Sequence, residues 1–446
     1  MMAIGRKERE PFVIQHADVA TGDADGKLLH DMTIVVGSDG RIEQVLPSNQ
    51  AFVPAGYHCI DATGKVVAPG LINAHTHLFA EGKMMKAKTV SPRQEQAAVA
   101  LLHSPIGKAY MAAKVKANAK TLLNSGVTTI RSLGDVGYEM VALRDKVDAD
   151  EVLGPRILAS GPMLCIPGGH GDPYIALSST TPEEARLNAR INLEHGVNVI
   201  KVAATGGVTD AKEVGVAGSP QMDEASMVAV CEEAHEAGVI VAAHAESAAG
   251  VKAALRAGVD TIEHGSPMDE EIVDLFLHNP RSLRGFSGLN STLSPCLPLV
   301  KIDQEVLGIS DIMRSNSEQV TDGMVQGARD GHQYGISEGV GTDTAMGLVT
   351  QYNTWRELDL LVRYADFTPA EAFHAATQVN AKNLGIDDAT GSIAIGKDAD
   401  LLVLDGDPVA DLRFLEHPQL VVARGWPVWR PKVKHMEEVD SLVETF

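Results

Sequence analysis

The sequence predicts an α/β protein built as a TIM-like (β/α)8 barrel with a small β-sandwich domain beside it. Eight short apolar runs in the middle of the chain have the length and composition of buried strands, and helical patterns separate most of them. At both ends of the chain, short alternating runs are divided by Gly and Asp instead. With 446 residues, the chain is long enough for one large domain and one smaller domain.

The eight predicted strands of the central segment match the number that a closed parallel barrel requires. They are 71–77, 127–133, 156–162, 197–202, 239–244, 259–264, 289–294 and 336–343. Asp223 and Ser247 mark the starts of two intervening helices, and Gly238 and Gly258 mark their ends. This order of strand, helix, glycine and strand is typical of βα repeats in a parallel sheet.

The two terminal segments predict the small domain. Alternating apolar residues in 32–36 and 41–46 are typical of antiparallel strands, and the same pattern returns after Gly391. The simplest arrangement pairs both segments with each other. We therefore expect residues 1–68 and 389–446 to form the small β-domain and residues 69–388 to form the barrel.

Charge and composition exclude several classes of protein. Lys and Arg number 38 against 59 Asp and Glu, so the formal net charge is −21. Nucleic acids and anionic membranes attract basic surfaces, so neither is expected as a partner. No apolar run is long enough to span a bilayer, residues 1–12 lack the apolar core of a signal peptide, and the four cysteines are scattered. We expect a cytoplasmic enzyme in a reduced compartment.

Side chains that can bind a metal stand at the carboxyl ends of the predicted strands. They are His75, His77, Lys201, His244, His264 and Asp343. Strand side chains alternate between faces, so the imidazoles of His75 and His77 point to the same side. Imidazoles together with a carboxylate suit a borderline divalent ion such as zinc. Burial lowers the pKa of a lysine, and the free amine of Lys201 can react with CO2 to give a carbamate that bridges two metals.

Each of these residues taken alone has a simpler interpretation. His244 and His264 can be core histidines, Lys201 can be a surface residue whose stem covers apolar neighbours, and Asp343 can cap a helix. Together these interpretations require a coincidence across five strands. We therefore favour a metal site.

The motifs around these residues resemble those of the amidohydrolase superfamily, of the type with two metals and a carbamylated lysine. The segment PGLINAHTH at 69–77 matches the opening HxH strand of that family, and GTD at 341–343 matches its last metal-binding strand. Within the superfamily, GVTTIR at 126–131, IKVAATGG at 200–207 and TIEHG at 261–265 are most similar to the prolidase-like branch, which includes Xaa-Pro dipeptidases. The similarity extends to the closing segment at 391–401.

This resemblance implies two divalent metal ions, with zinc expected and manganese or iron as alternatives. His75 and His77 would bind the more buried ion together with Asp343, the histidines of the later strands would bind the second, and carbamylated Lys201 would bridge the two. Ions ~3.5–4 Å apart can share a hydroxide that attacks a polarised carbonyl. Asp343 would take the proton of this hydroxide and pass it to the leaving nitrogen.

Two further residues are candidates for contact with the substrate. His170 lies in a Gly-rich loop and resembles the third-strand histidine of the branch in position; it would donate to the developing oxyanion, and an incidental histidine in a hinge loop is the alternative. Arg131 ends the second predicted strand and would either clamp a substrate carboxylate or pair with Asp135. Alternation places the side chain of Glu263 away from the barrel interior.

These residues predict a metal-dependent hydrolase that cleaves an amide or peptide bond of a small molecule, with dipeptides and N-acyl amino acids as leading substrates. The alternatives are a cyclic-amide hydrolase or deaminase similar to imidazolonepropionase, and a catalytically silent scaffold. Enzymes of the first kind often use one metal and lack the lysine, and scaffolds usually lose ligands, so Lys201 and the complete ligand set favour the amidase. The oligomeric state is left open, and the resemblance is compatible with a homo-oligomer.

Overall fold

The computed structural model describes residues 9–84 and 91–446. The prediction that residues 1–12 lack the apolar core of a signal peptide falls mostly on residues 1–8, which lie outside the described residues. The strands are β1 (Phe12–Ala20), β2 (Leu28–Val36), β3 (Ile42–Pro47), β4 (His58–Asp61), β5 (Val66–Pro69), β6 (Leu71–Thr76), β7 (Val127–Ser132), β8 (Arg156–Ala159), β9 (Met163–Cys165), β10 (Ala176–Ser178), β11 (Val199–Ala203), β12 (Ile240–Ala245), β13 (Thr261–His264), β14 (Gly288–Ser291), β15 (Glu338–Val340), β16 (Leu401–Leu404), β17 (Leu420–Ala423) and β18 (Trp426–Trp429).

The helices lie mostly between the central strands. They are α1 (Pro92–His103), α2 (Pro105–Asn124), α3 (Glu139–Asp148), α4 (Pro182–Glu194), α5 (Glu224–Glu236), α6 (Ala248–Ala257), α7 (Glu270–Leu277), α8 (Leu297–Lys301), α9 (Gln304–Leu307), α10 (Asp311–Tyr334), α11 (Thr354–Tyr364), α12 (Pro369–His374), α13 (Asn380–Leu384) and α14 (Glu437–Val443). Two short 3-10 turns at Ser48–Gln50 and Leu412–Leu415 and a π-helical turn at Ala375–Val379 complete the described elements. None of the helices in the described ranges is long and apolar enough to cross a membrane.

Strands from both ends of the chain pair in one eight-stranded sheet. Its order is β18-β17-β16-β5-β1-β2-β3, and β4 pairs with β1. The two chain ends meet where β5 runs antiparallel to β16, with Val67 opposite Val403. The expected association of the terminal segments is therefore present, while the sandwich form and the domain boundaries stay predictions.

The central strands form an α/β fold with parallel sheets. One sheet has the order β10-β9-β11-β12-β13-β14-β15 and the other has the order β6-β7-β8. Each of the eight predicted strands overlaps one of these strands, whereas the short β9 and β10 are additional. Backbone bonds also link the two sheets. Asp343 N, after the edge strand β15, donates to His75 O of the edge strand β6 at 2.8 Å, and Asn198 N, just before β11, donates to Ala159 O of the edge strand β8 at 2.8 Å.

Local sequence signals explain where the helices begin and end. The Asp223 side chain accepts from Ser226 N at the start of α5, and Ser247 accepts from Gly250 N at the start of α6. Gly258 ends α6 with a φ of +103°, which an L-residue with a Cβ rarely adopts. These caps confirm the helix starts that the sequence predicts.

Alternation along β11 separates the core from the chemistry. Ile200 and Val202 are fully buried in the main apolar cluster, together with Val241 and Ile262 of the neighbouring strands. Burial of an aliphatic side chain of this size stabilises the fold by roughly 1.5–3 kcal/mol. Lys201 lies between two such residues and therefore faces the other side of the strand, where the polar site lies.

Candidate metal centre and active site

Potential metal ligands collect in two clusters at the carboxyl ends of the parallel strands. Among the described residues, one cluster joins His75, His77 and Asp343, and the other joins His244, Glu246 and His264. Within each cluster the ligand atoms lie within 4.8 Å of one another. We call them the first and the second donor group. Five of the six predicted ligands belong to these groups, and Glu246 is an addition that the sequence analysis missed.

The first donor group is held by hydrogen bonds on the outer side of each imidazole. His75 Nδ1 lies 3.0 Å from Glu263 Oε2, and His77 Nδ1 donates to Gly134 O at 3.1 Å. The Nε2 atoms therefore converge on Asp343 Oδ1, at 3.5 Å for His75 and 3.0 Å for His77. An imidazole that donates through Nδ1 presents the lone pair of Nε2 to a metal.

Protonation in the first donor group also suits metal binding. Burial lowers the pKa of His75 to about 4, so its ring is neutral at pH 7. Burial alone would raise the pKa of Asp343, but the neighbouring His75 and His77 hold it well below its ordinary range. Neutral imidazoles and an ionised carboxylate are the forms that bind a metal.

The second donor group has fewer close contacts. His264 Nδ1 lies 2.6 Å from Thr292 Oγ1, so its Nε2 is directed away from that hydroxyl. His244 Nε2 lies 3.4 Å from Gly206 O and 3.6 Å from Glu246 Oε2. Burial, followed by the nearby positive groups, holds the pKa of His264 well below its ordinary value.

Lys201 is the one predicted ligand outside the two clusters. The residue is 2% exposed, and its Nζ has no hydrogen-bond partner among residues 9–84 and 91–446. Burial lowers the pKa of this amine to about 8, although Glu263 and Asp343 act in the opposite direction. A buried amine without a partner can react with CO2, and the carbamate that forms would be a carboxylate ligand.

The residues present therefore fit a pair of divalent metal ions. Each donor group combines imidazole nitrogens with a carboxylate, the ligand types that zinc prefers. The orphaned Lys201 Nζ lies in the same buried region as Glu263 and Asp343. A buried ammonium of this kind is costly unless it is neutralised or converted into a ligand.

Glu263 contradicts the prediction made from alternation. Its side chain is fully buried, and it contacts His75 instead of pointing away from the site. Thr261 and Glu263 share a face, as alternation requires, and Thr261 Oγ1 donates to Glu263 Oε1 at 2.7 Å. The regular strand ends at His264, whose φ is +74°. The side chains of Glu263 and His264 therefore both reach the site, although the two residues are adjacent in the chain.

Arg131 supports Glu263 inside the protein. Its guanidinium donates to Glu263 Oε1 at 2.6 Å, to Thr261 Oγ1 at 2.9 Å and to Ala74 O at 2.6 Å, and the residue is fully buried. Arg131 therefore has the structural contacts of the second alternative, but its carboxylate partner is Glu263 and not Asp135. The Asp135 carboxylate accepts from Ser132 instead. The predicted contact of Arg131 with a substrate carboxylate gains no support from this arrangement.

His170 lies at the site, as the sequence predicts for a catalytic or substrate-binding residue. Its ring stacks on that of His244 with a centroid distance of 4.2 Å. Its Nδ1 lies 3.0 and 2.9 Å from the two carboxylate oxygens of Asp210, which also accepts from Gly171 N at 2.7 Å. Burial alone would lower the pKa of His170, but Asp210 raises it above the ordinary value. Asp210 thus ties the loop after β9 to the loop after β11.

The residues that sequence reasoning missed differ in how visible they were. Glu246 lies two positions after His244, so alternation could have placed both side chains on one face. Asp210 lies in the connection beyond β11, where no periodic pattern assigns a direction to a side chain, and Thr292 directly follows β14, inside the predicted strand 289–294. Their roles follow only from the folded arrangement.

Comparisons with known proteins identify relatives of this chain. A model of the amidohydrolase family matches residues 66–428. The crystal structure of a candidate prolidase from Bifidobacterium longum is 57% identical, with a TM-score of 0.87 over 98% of this chain and 99% of that chain. A Xaa-Pro dipeptidase crystallised with methionine in its active site is 27% identical, with a TM-score of 0.79 over 94% of this chain and 100% of that chain. Ochratoxinase of Aspergillus niger is 24% identical over 454 residues, which cover 93% of this chain and 87% of that enzyme.

Proposed function

Because this chain belongs to the amidohydrolase family, with solved relatives in its prolidase-like branch, we propose that it is a metal-dependent dipeptidase or N-acyl amino acid hydrolase. The family makes the chain a hydrolase of small amides, and the finer assignment is the proposal. The observation that carries it is the buried, unpartnered Lys201 amine beside two donor groups. Xaa-Pro dipeptides are the first substrates to test, because two of the solved relatives are described as prolidase-like.

The proposed metal ligands follow from the two donor groups. His75 and His77 would bind one divalent ion with Asp343, and His244 and His264 would bind the other. Lys201, as its carbamate, would contribute a carboxylate to both. Zinc is the proposed metal, with manganese or iron as alternatives. When bound, such ions polarise the substrate carbonyl and lower the pKa of a water molecule toward ~7.

The side chains of this protein would move the protons of the reaction. The Asp343 carboxylate can accept a proton from the attacking water and then deliver it to the leaving nitrogen. Because the pKa of Asp343 is low, its protonated carboxyl gives up this proton readily. His170 would donate a hydrogen bond to the carbonyl oxygen as negative charge develops there. Asp210 holds that imidazole in place through both of its oxygens.

Contacts behind the ligands would fix their orientation. Glu263 holds His75 and is itself neutralised by Arg131. Outer contacts of this kind set the tautomer of the ligand and make it more basic. The proposal therefore assigns Arg131 a supporting role in the metal site in place of a contact with substrate.

A substrate screen tests the proposed function. The protein, loaded with zinc or with manganese in the presence of bicarbonate, is incubated with a library of dipeptides and N-acyl amino acids while released amine is measured. We expect hydrolysis of dipeptides, with Xaa-Pro members included. Turnover of a cyclic amide without any dipeptide would favour the imidazolonepropionase-like alternative, and a protein that binds no metal would favour the silent scaffold.

We also propose a closed (β/α)8 barrel for the two parallel sheets. The bonds from Asp343 N to His75 O and from Asn198 N to Ala159 O support closure, because the first joins the segment after β15 to β6 and the second joins the segment before β11 to β8. Residues 69–388 would form this barrel, and residues 1–68 with 389–446 would form the small β-sandwich domain. A cytoplasmic location and assembly into a homo-oligomer stay predictions from the sequence.

A further inference from the structure

Glu246 is a buried carboxylate that the proposed mechanism does not use. It follows β12, and its side chain is 4% exposed. Its Oε2 is buried and has no hydrogen-bond partner in the part of the chain that the structure describes. The backbone is fixed independently of the carboxylate, because Glu246 N donates to Thr205 Oγ1 at 3.1 Å. A buried carboxylate without a partner is costly, so it requires a cation from outside the chain.

Two basic side chains of the site are already paired with other carboxylates. His170 is paired with Asp210 at 2.9 Å, and Arg131 is paired with Glu263 at 2.6 Å. Among residues 9–84 and 91–446, His244 is the basic side chain within 4 Å of the Glu246 carboxylate, and its Nε2 lies 3.6 Å away. Conversion of Lys201 to a carbamate would remove a further positive charge from the region. Glu246 Oε2 therefore lacks a basic partner at hydrogen-bond distance among the described residues, and it can meet a charged group that enters the site.

We infer that Glu246 binds the α-ammonium group of the substrate, so that the enzyme selects dipeptides with a free amino terminus over N-acylated amino acids. This inference rests on the proposed function and narrows its substrate class. The α-ammonium of a dipeptide is attached to the carbon next to the scissile carbonyl. With the carbonyl at the second donor group, a carboxylate 3.6 Å from His244 Nε2 would therefore lie near that ammonium. The α-amino group is largely protonated at pH 7.

Glu246 also stands within ligand distance of His244 and His264, so binding to the second metal ion is the competing role. The substrate ammonium is favoured because His244, His264 and the Lys201 carbamate already supply ligands for that ion. The two roles predict different results for Glu246→Gln. Loss of a metal ligand lowers the metal content, whereas loss of an ammonium contact leaves it unchanged.

A matched pair of phosphonates tests the ammonium contact without any turnover. The metal-loaded protein is titrated by calorimetry with (1-aminoethyl)phosphonate and with ethylphosphonate, which lacks the amino group. The wild-type protein should bind the aminophosphonate about tenfold more tightly or better, and Glu246→Gln should lose that preference. Glu213→Gln, an exposed change in the connection before α5, should keep it. Metal content is measured for each protein by mass spectrometry.

Three results would overturn the inference. They are an unchanged preference in Glu246→Gln, no preference or no binding in the wild-type protein, and loss of one metal equivalent in Glu246→Gln. A hydrolysis arm compares Ala-Pro with N-acetyl-Ala-Pro, and the wild-type protein should prefer the free dipeptide by a similar factor. Hydrolysis of neither compound, together with an intact aminophosphonate preference, would reject the proposed function while the ammonium site stands.

Discussion

The first and second donor groups contain the same kinds of side chain, but the protein holds them differently. In the first group, His75 is fixed by Glu263 and His77 by Gly134 O, both at about 3 Å. In the second group, Thr292 fixes His264, whereas the contact of His244 with Gly206 O is long, at 3.4 Å. The first group is thus preorganised on both imidazoles and the second on one.

This difference indicates a division of roles between the two groups. A preorganised site loses less conformational freedom on binding, so the first group should hold its metal more tightly. The second group lies next to His170, which stacks on His244, and next to the unpartnered Glu246. We therefore expect the substrate to bind on this side of the centre. The predictions below test this division.

The largest effect is expected from the first group. His77→Ala removes a ligand whose outer contact is already formed, so it should lower bound metal by about one equivalent and abolish hydrolysis while the fold stays intact. Metal analysis, activity and circular dichroism provide the measurements. His278→Ala, with a side chain that is 77% exposed, is the control. Full activity of metal-loaded His77→Ala would refute the ligand assignment.

Removal of the proposed bridge should weaken the second group most. Lys201→Ala should lower activity by about 100-fold or more and reduce the occupancy of the second metal, because the carboxylate shared by both ions is lost. Lys201→Arg should not restore activity, since its guanidinium stays charged. Acetate or propionate should partly rescue the alanine variant. Wild-type activity in Lys201→Ala would contradict the proposed bridge.

A substitution at Glu263 tests how far its contact with His75 strengthens metal binding by the first group. Glu263→Gln should weaken metal binding there by about 10- to 100-fold, because His75 loses its anionic acceptor. It should also lower the free energy of unfolding by about 3–5 kcal/mol, because the buried Arg131 loses its counter-charge. Adding Arg131→Met should recover stability but not metal affinity. Recovery of both by the double variant would show that Glu263 acts only through Arg131.

Thr292 provides the matching test of the second group. Thr292→Val removes the partner of His264 Nδ1 and should weaken the second metal by about tenfold, with the first metal unaffected. Thr292→Ser keeps the hydroxyl and serves as the matched control. Competition with a chelator measures both affinities. An equal loss at both metals would contradict the assignment of Thr292 to the second group.

The smallest effect on the site is expected from Glu357, which supports the segment after Thr292. Its carboxylate accepts from Leu293 N and from Ser294 N, and burial raises its pKa from 4.5 to about 7. Between pH 4.5 and about pH 7, Glu357 is ionised in the unfolded chain but still protonated in the folded protein. The free energy of unfolding therefore falls as the pH rises through this range, by about 3 kcal/mol in total. Glu357→Gln should lack this pH dependence in urea unfolding. An identical slope in both proteins would refute the assignment.

Most of the residues proposed as ligands could be brought together from the sequence because they lie at or near the ends of regular strands. Alternation and a polar residue closing an apolar run were enough to select His75, His77 and Lys201. The cap of α6 was equally visible, because Ser247 and Gly258 act through their own local conformations. Each of these features depends on short stretches of sequence.

The residues behind the ligands could not be predicted in the same way. The assignment of Glu263 failed because the positive φ of His264 ends the alternation at the residue where it mattered. Asp210 reaches His170 from a connection 40 residues away in the chain, a contact that only the fold creates. Arg131 was expected to meet Asp135 nearby, but it pairs with Glu263, 132 residues later. Long-range pairing decides these contacts, and it leaves no local pattern.

The central claim is that Lys201 joins two metal-binding groups into one hydrolytic centre. Anomalous diffraction at the zinc edge, from crystals grown with zinc and bicarbonate, tests it most directly. The account predicts two anomalous peaks, one at each donor group, and continuous density from Lys201 Nζ to a carbamate that contacts both. A single peak, or an unmodified Lys201 that points away from both ions in a metal-replete crystal, would contradict it.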